Sequence, residues 1–98
     1  MINETSIFQV ALDKFISHVY TVINEGSCIT NDYGKRYVKL IIKNKYGHES
    51  VYGFIDQTNG DILKAASWKA PAKHARGNIY DENTYSSAAT TYGISYLK

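Results

Sequence analysis

Three residue types are scarce in the sequence: cysteine, proline and tryptophan each occur once, as Cys28, Pro71 and Trp68. A single cysteine excludes an intrachain disulfide and argues against a cysteine-based zinc site. It fits a reducing compartment, because disulfide frameworks belong to oxidising ones. We therefore expect a cytoplasmic protein that needs no disulfide, metal ion or cofactor.

Long apolar runs and a strong net charge are also missing. No run approaches the roughly 18–20 residues that cross a bilayer, and the first residues, MINETS, lack the pattern of a signal peptide. The net charge is only +2. Such a charge permits a polyanionic partner but does not indicate one. A prediction of polyanion binding therefore has to rest on local clusters of cations. We expect no membrane association.

The remaining composition is that of a globular protein, with 44% hydrophobic and 20% charged residues among 98. This length predicts a single domain over residues 1–98. Tyrosine is the exception, with nine residues. Tyrosine combines a large apolar ring with a polar tip and is enriched at interfaces. The tyrosines therefore either enlarge a small core or form a contact surface.

An apolar stripe near the N-terminus predicts an amphipathic helix over residues 7–24. Its members recur at spacings of four and three residues: Phe8, Leu12, Phe15, Val19 and Val22. Ser6 and Gln9 have the spacing of a capping box, in which each side chain bonds the backbone of the other residue. The helix is therefore expected to begin directly after Ser6.

Three strand-like runs follow, over residues 36–45, 49–57 and 61–68, with turns at Tyr46-Gly47 and Asn59-Gly60. Asn-Gly is a strong hairpin signal, so the runs predict an antiparallel β-meander. Two-residue turns put one set of side chains on the face that the helix covers. This set is Val38, Leu40, Ile42, Val51, Ile55, Ile62 and Trp68. The predicted fold is α+β, with the N-terminal amphipathic helix packed on a three-stranded antiparallel β-meander.

The other face of the predicted meander mixes aromatic and cationic residues. Tyr37 and Lys39 stand on its first strand, and Tyr52 and Phe54 on its second. Aromatic rings beside lysines suit stacked bases and phosphates, as on proteins that bind single-stranded nucleic acid. They suit equally a second packed layer or a subunit contact, in which lysine stems cover the rings.

The most distinctive stretch is residues 61–78, DILKAASWKAPAKHARGN, which carries five potential cations and no acid after Asp61. Pro71 fits a first helical turn, so we predict a short basic helical turn over residues 72–76 that Gly77 ends in the left-handed conformation. Its cations either complement the helix dipole or bind a phosphate or carboxylate. The candidate ligand-binding residues are Lys64, Trp68, Lys69, Lys73, His74, Arg76, Asn78 and Tyr80.

Residues 79–98 predict an irregular, tyrosine-rich tail, because the stretch has no firm hydrophobic period. Asp81 or Asn83 can cap a short helix over residues 85–91, which Gly93 would end. Residues 94–97 can add an edge strand.

Residues 60–79, GDILKAASWKAPAKHARGNI, resemble a segment shared by small proteins of tailed bacteriophages. The preceding hairpin, with YGFID at residues 52–56, is similar as well, as are Tyr92-Gly93 and Tyr96-Leu97 near the C-terminus. The resemblance implies a phage origin and the cytoplasm of an infected host cell. It implies no catalytic or binding residue, since the family has no established activity.

An enzymatic function is the weakest interpretation of the sequence. His18, His48 and His74 fall on three different predicted elements, and Cys28 has no evident base beside it. We therefore predict a non-enzymatic phage protein that binds nucleic acid or a nucleotide phosphate through the basic segment around Trp68. The alternative is a protein-interaction module, such as a host-directed or anti-defence factor or a virion component. That module would contact a host protein or a second copy of itself through a tyrosine-rich surface.

Overall fold

The computed structural model describes residues 6–95. One long helix, α1, spans Ile7–Val22 and precedes five β-strands. The strands are β1 (Cys28–Tyr33), β2 (Tyr37–Lys43), β3 (Glu49–Asp56), β4 (Asp61–Ala65) and β5 (Pro71–Asn78). They form one antiparallel sheet in the order β1-β2-β3-β4-β5, so each strand pairs with its neighbour in sequence. A 3₁₀ turn (Glu82–Thr84) and a short helix, α2 (Tyr85–Ala88), follow β5.

The start of α1 follows from its capping residue. The Ser6 hydroxyl accepts a hydrogen bond from the Gln9 backbone N–H at 3.0 Å, which satisfies one of the first free amides of the helix. The Gln9 side chain does not return the bond to Ser6. Its amide donates to Asp13 Oδ1 at 2.8 Å, and its carbonyl accepts from the Tyr33 hydroxyl at 3.0 Å. The helix begins where the sequence predicts, and Gln9 ties it to β1.

The main core lies between α1 and one face of the sheet. It contains Leu12, Phe15 and Val19 of the helix with Val38, Leu40, Ile42, Ile55 and Ile62 of the strands. Burying side chains of this size contributes roughly 1.5–3 kcal/mol each, so this layer is the main source of stability. The core face predicted for these residues is confirmed.

The predicted three-stranded meander is wrong, because the sheet has five strands. β1 pairs with β2 along its whole length, from Cys28 opposite Lys43 to Tyr33 opposite Val38. Its sequence, CITNDY, has few apolar residues, and four of its six side chains are exposed. An edge strand has only one neighbour and buries little surface. Neither the hydrophobic period nor a hairpin signal marked it in the sequence.

The predicted basic helical turn is also wrong, because its residues belong to β5, the strand at the other edge of the sheet. β5 pairs antiparallel with β4, with Leu63 opposite Ala75 and Ala65 opposite Pro71. Proline is tolerated at the first residue of an edge strand as well as in a first helical turn. Pairing with β4 provides backbone partners that a helix of five residues would lack.

Gly77 does not have the predicted left-handed conformation. It lies in β5, where a glycine is needed for space. An added Cβ would lie 2.8 Å from Thr84 Oγ1 and 3.2 Å from Ala88 Cβ, both closer than ordinary contacts. Gly77 therefore allows the segment after β5 to pack directly on the sheet.

A β-bulge changes the predicted register of β2 and β3. Pairing follows the prediction as far as Leu40, which lies opposite Gly53, and then shifts by one residue, so that Ile41 lies opposite Val51. The extra residue is Tyr52. Its side chain is 1% exposed and joins the core under α1 instead of the opposite face. Val51, expected in that core, is only half-buried.

Trp68 lies outside the core in which the sequence placed it. β4 ends at Ala65, and Trp68 belongs to the loop before β5, where it is 47% exposed. The two-residue turn predicted at Asn59-Gly60 sets Ile55 opposite Lys64, but the turn between β3 and β4 is longer, so Ile55 lies opposite Ile62. This difference of two residues preserves the face on which each side chain lies.

The segment after β5 closes the core beside α1, in contrast to the predicted irregular tail. Its buried residues are Ile79, Tyr85, Ala88, Ala89 and Ile94. Asp81 caps the 3₁₀ turn by accepting from the Asn83 N–H at 3.1 Å. The helical stretch ends at Ala88 rather than at residue 91. Ile94 forms a single bridge with Ala89. Residues 96 and 97 of the predicted edge strand lie outside the described residues.

Candidate functional site

The sheet face opposite α1 carries a groove of about 200 Å³ that we call the cationic groove. Three segments contribute to it: the connection between β1 and β2 with the strand ends beside it, the adjoining part of β3, and the loop between β4 and β5. The lining residues are Asp32, Gly34, Lys35, Arg36, Tyr37, Lys39, Phe54 and Lys69. Four of these eight residues are cationic and one is acidic, so the groove concentrates positive charge in a chain of net charge +2.

The pairing of the strands sets the floor of the groove. Phe54 of β3 lies opposite Lys39 on one side and Leu63 on the other, and directly paired residues share a face. Phe54 and Leu63 are buried, although they lie outside the core under α1. The Tyr37 ring meets the Phe54 ring edge-on, with centroids 6.1 Å apart. The second face of the sheet thus has its own small apolar layer.

The loop between β4 and β5 brings Trp68 and Lys69 to the groove. The N–H groups of Ala66 and Ser67 both donate to the Ala70 carbonyl, at 2.9 and 3.1 Å, which closes the loop into a tight tip. Lys39 Nζ lies 4.8 Å from the centroid of the Trp68 ring, within the range of a cation–π contact. Trp68 is 47% exposed, so part of its surface is accessible to a flat partner.

Arg36 is held at the end of the groove by a buried carboxylate. Its Nε and Nη2 donate to Asp56 Oδ2 at 3.2 and 3.1 Å. The other oxygen, Oδ1, accepts from the backbone N–H and the hydroxyl of Thr58 at 2.8 and 2.6 Å. Burial alone would raise the pKa of Asp56, but the bonds from Thr58 and then those from Arg36 lower it below its ordinary value. Arg36 keeps 61% of its side chain exposed and so remains accessible.

The structure brings two of the predicted ligand-binding residues to this groove. Lys69 lines it, and Trp68 contacts Lys39 of its lining. Lys73 and His74 are exposed on the edge strand β5. The predicted cations therefore lie partly in the groove and partly at the edge of the sheet, whereas the sequence placed them together on one short helix.

The other predicted residues have structural contacts of their own. Lys64 Nζ donates to the Ile94 carbonyl at 3.2 Å. The Arg76 guanidinium donates to the His74 carbonyl. Asn78 Nδ2 donates to the Asn59 carbonyl at 2.9 Å, which holds the turn between β3 and β4. Each of these bonds stabilises the fold around the hairpin formed by β4 and β5.

Tyr80 lines a different groove, of about 280 Å³, between the start of α1 and the segment after β5. Three of its large hydrophobic residues are unusually exposed: Ile7 is 80%, Val10 52% and Tyr80 49% accessible. An ion pair at its rim joins Lys14 Nζ to Glu82 Oε2 at 2.7 Å. We call it the apolar groove.

The sequence predicted only some of the residues that line the cationic groove. Tyr37, Lys39 and Phe54 were predicted to share the face opposite the helix, and they do. Lys35 and Arg36 were not among the predicted site residues, and Arg36 was expected at the start of the first strand. Only the tertiary structure places these two residues beside the loop that carries Lys69.

These features define a small antiparallel sheet, backed by a helix on one face and carrying a cationic, aromatic groove on the other. The chain belongs to a family of unknown function, DUF7717, which matches residues 10–95. No curated protein and no solved structure matches it. Within residues 6–95, no group of three or more His, Cys, Asp or Glu side chains is arranged to hold a metal ion. The same residues include no helix long and apolar enough to span a bilayer.

Proposed function

We propose that this protein binds single-stranded nucleic acid, or the phosphate of a nucleotide, in the cationic groove. The observation that carries the proposal is the convergence of Lys35, Arg36 and Lys39 with the tip that bears Trp68 and Lys69. Lysine and arginine hold phosphates by charge-assisted hydrogen bonds. A half-exposed indole beside them offers a stacking surface for a base. The proposal assigns a binding role and no reaction.

The arrangement also favours a single strand over a duplex. The Tyr37 ring lines the groove and the partly exposed Trp68 lies beside it, against Lys39. Bases become available for stacking on such rings only where they are not paired. The phage origin and the infected-cell location implied by the resemblance remain part of this proposal.

The proposal is tested by titrating the protein with a labelled single-stranded pentanucleotide at about 50 mM salt, where phosphate contacts are strong. Trp68 is the only tryptophan, so its fluorescence reports directly on the groove. We expect a saturable change, and a binding constant that falls with salt by about 0.7 log units per log unit of salt for each phosphate engaged. A duplex of the same sequence and free nucleoside monophosphate and triphosphate distinguish the possible ligands.

The decisive variant combines Lys39→Glu with Lys69→Glu, which reverses two cations of the groove. Its matched control combines Lys43→Glu with Lys45→Glu, the same change of charge on two exposed lysines, one at the other end of β2 and one in the turn that follows. We expect the first variant to lose binding and the control to keep most of it, with both melting near the wild-type temperature. Equal losses would show non-specific attraction, and absence of wild-type binding to every probe would refute the proposal.

Lys73, a ligand-binding residue predicted from the sequence, tests whether the edge strand β5 contributes to binding. Lys73→Glu removes one exposed cation of β5 without touching the groove lining. If β5 extends the binding path, affinity for a longer oligonucleotide should fall while affinity for the pentanucleotide stays unchanged.

A second candidate function is protein contact, which the apolar groove favours. Ile7, Val10 and Tyr80 expose apolar surface around one concavity, and Tyr46 and Tyr92 are more than 70% exposed elsewhere. Exposed aromatic and aliphatic side chains of this kind are enriched at protein interfaces. A contact through Ile7 and Val10 would tolerate salt and would be lost in Ile7→Glu, whereas binding in the cationic groove would be unaffected by that substitution.

A further inference from the structure

Asp32 is the single acid in the lining of the cationic groove. It lies in β1 directly opposite Lys39 of β2, so the two side chains share the face that carries the groove. Within residues 6–95, the Asp32 carboxylate accepts no hydrogen bond and forms no ion pair. Nearby cations have other partners: Arg36 bonds Asp56, and Lys39 lies over the Trp68 ring. An exposed carboxylate therefore stands unpaired in a groove of cations.

Such a carboxylate opposes the binding of phosphate, because like charges repel at short range. It can only accept hydrogen bonds, so a ligand gains from it only by presenting donors. In a nucleotide the donors that distinguish one base from another lie on the base edges. Guanine presents a ring N–H and an amino group side by side, which match the two oxygens of one carboxylate. Cytosine and adenine each present an amino group, whereas thymine and uracil present one N–H between two carbonyl oxygens.

We propose that Asp32 makes the cationic groove selective for guanine in a single strand, by accepting two parallel hydrogen bonds from the guanine edge while the groove cations hold the neighbouring phosphates. This inference rests on the proposed function and adds a specificity to it. Paired hydrogen bonds between a planar fork of donors and a carboxylate are the strong, direction-dependent kind. The thymine edge would instead bring carbonyl oxygens against the Asp32 oxygens, so repulsion reinforces the selection.

The test compares the affinities of four pentanucleotides that carry a different base at the central position and thymine at the other four positions. Each affinity is measured by competition against one labelled pentanucleotide. Competition avoids the direct quenching of tryptophan by guanine. We expect guanine to bind about tenfold more tightly than thymine, equivalent to ~1.4 kcal/mol and within the range of a good bidentate contact. Cytosine and adenine should fall between them.

Asp32→Asn tests the residue itself, because the amide keeps the size of the side chain but removes its charge and one acceptor. We expect it to tighten thymine binding and to reduce the guanine preference to less than threefold. Glu25→Gln is the matched control: it removes one exposed acid from the turn between α1 and β1, and it should leave the order of the four bases unchanged.

The outcomes separate this inference from the proposed function. Equal affinity of the wild-type protein for all four pentanucleotides would overturn the selectivity and leave the proposed function standing. The same holds if Asp32→Asn tightened all four equally, since Asp32 would then act only as a repulsive charge. Absence of binding to all four would refute the proposed function itself. Equal wild-type affinity for the four bases would overturn the selectivity even if Asp32→Asn fails to fold.

Discussion

The Tyr52 hydroxyl donates to the Thr90 backbone carbonyl at 2.5 Å, and the Tyr52 carbonyl accepts from the Ile94 N–H at 3.0 Å. The bulge residue of β3 is thereby bonded at both its side chain and its backbone to the segment after α2. The C-terminal part of the chain is held to the sheet by the residue that breaks the regular pairing of β2 and β3.

This relationship predicts the response to Tyr52→Phe. Loss of the hydroxyl should lower the free energy of unfolding by about 0.5–1.5 kcal/mol, the usual contribution of one hydrogen bond. Urea unfolding at pH 7 measures it. Tyr92→Phe is the control, since that ring is 79% exposed and the change should be close to zero.

The same substitution should alter the response to alkaline pH. Burial raises the pKa of Tyr52 to about 12, although the bond to Thr90 partly opposes this. A raised pKa means that the stabilisation is complete below the unfolded value near 10 and is lost as the pH rises towards 12. Tyr52→Phe should therefore lose less stability between pH 9 and pH 11 than the wild-type protein. Parallel losses in both proteins would contradict the assignment.

Leu40→Ala should destabilise the protein by about 2–5 kcal/mol, as large-to-small changes in a packed core do. Leu40 has no exposed surface and lies under α1. Ile7→Ala removes a similar side chain that is 80% exposed, and it should change the free energy of unfolding by no more than about 0.5 kcal/mol. Chemical denaturation of both variants measures the difference. Comparable effects would show that the helix does not cover this face in solution.

Gly77→Ala should cost about 1–3 kcal/mol, because the new methyl group would press on Thr84 and Ala88. Gly77→Asn should be at least as harmful, since the glycine provides space rather than a left-handed conformation. Gly47→Asn is the contrasting variant: Gly47 has a φ of +88°, nothing lies within 4 Å of its added Cβ, and asparagine tolerates this conformation. Thermal melting should show a clear loss only at Gly77. A stable Gly77→Asn protein would contradict the close packing of Thr84 and Ala88 on Gly77.

Asp56→Ala should lower stability by about 1.5–3 kcal/mol at pH 7, because it removes the acceptor for Thr58 and Arg36. The lowered pKa of Asp56 means that its contribution is present above the unfolded value near 4 and is lost as the pH falls below it. The difference between the two proteins should therefore shrink in acid. Unfolding at pH 7 and pH 3 measures this, and a difference that stays constant with pH would contradict it.

The sequence predicted the helix and most of its core well, because Leu12, Phe15 and Val19 repeat at a period that only a helix satisfies. It predicted β2, β3 and β4 from alternating apolar residues and turn signals. It failed at the edges of the sheet, where β1 and β5 bury little and so carry no period. It also failed at Tyr52, since a bulge depends on what both paired strands and the C-terminal segment contact.

Some features of the candidate site also followed from the local sequence, and others depended on the tertiary structure. Local sequence determined that Lys69 and Trp68 are adjacent and that Tyr37 and Lys39 share a strand face, because chain neighbours and alternation are local properties. Only the tertiary structure decided that the β1–β2 turn, with Arg36 fixed by Asp56, lies beside the tip of the loop between β4 and β5. Only it decided that Lys64 turns towards Ile94, away from this groove. The physical reason is that residues distant in sequence meet through strand order and register, which depend on the pairing of the whole sheet.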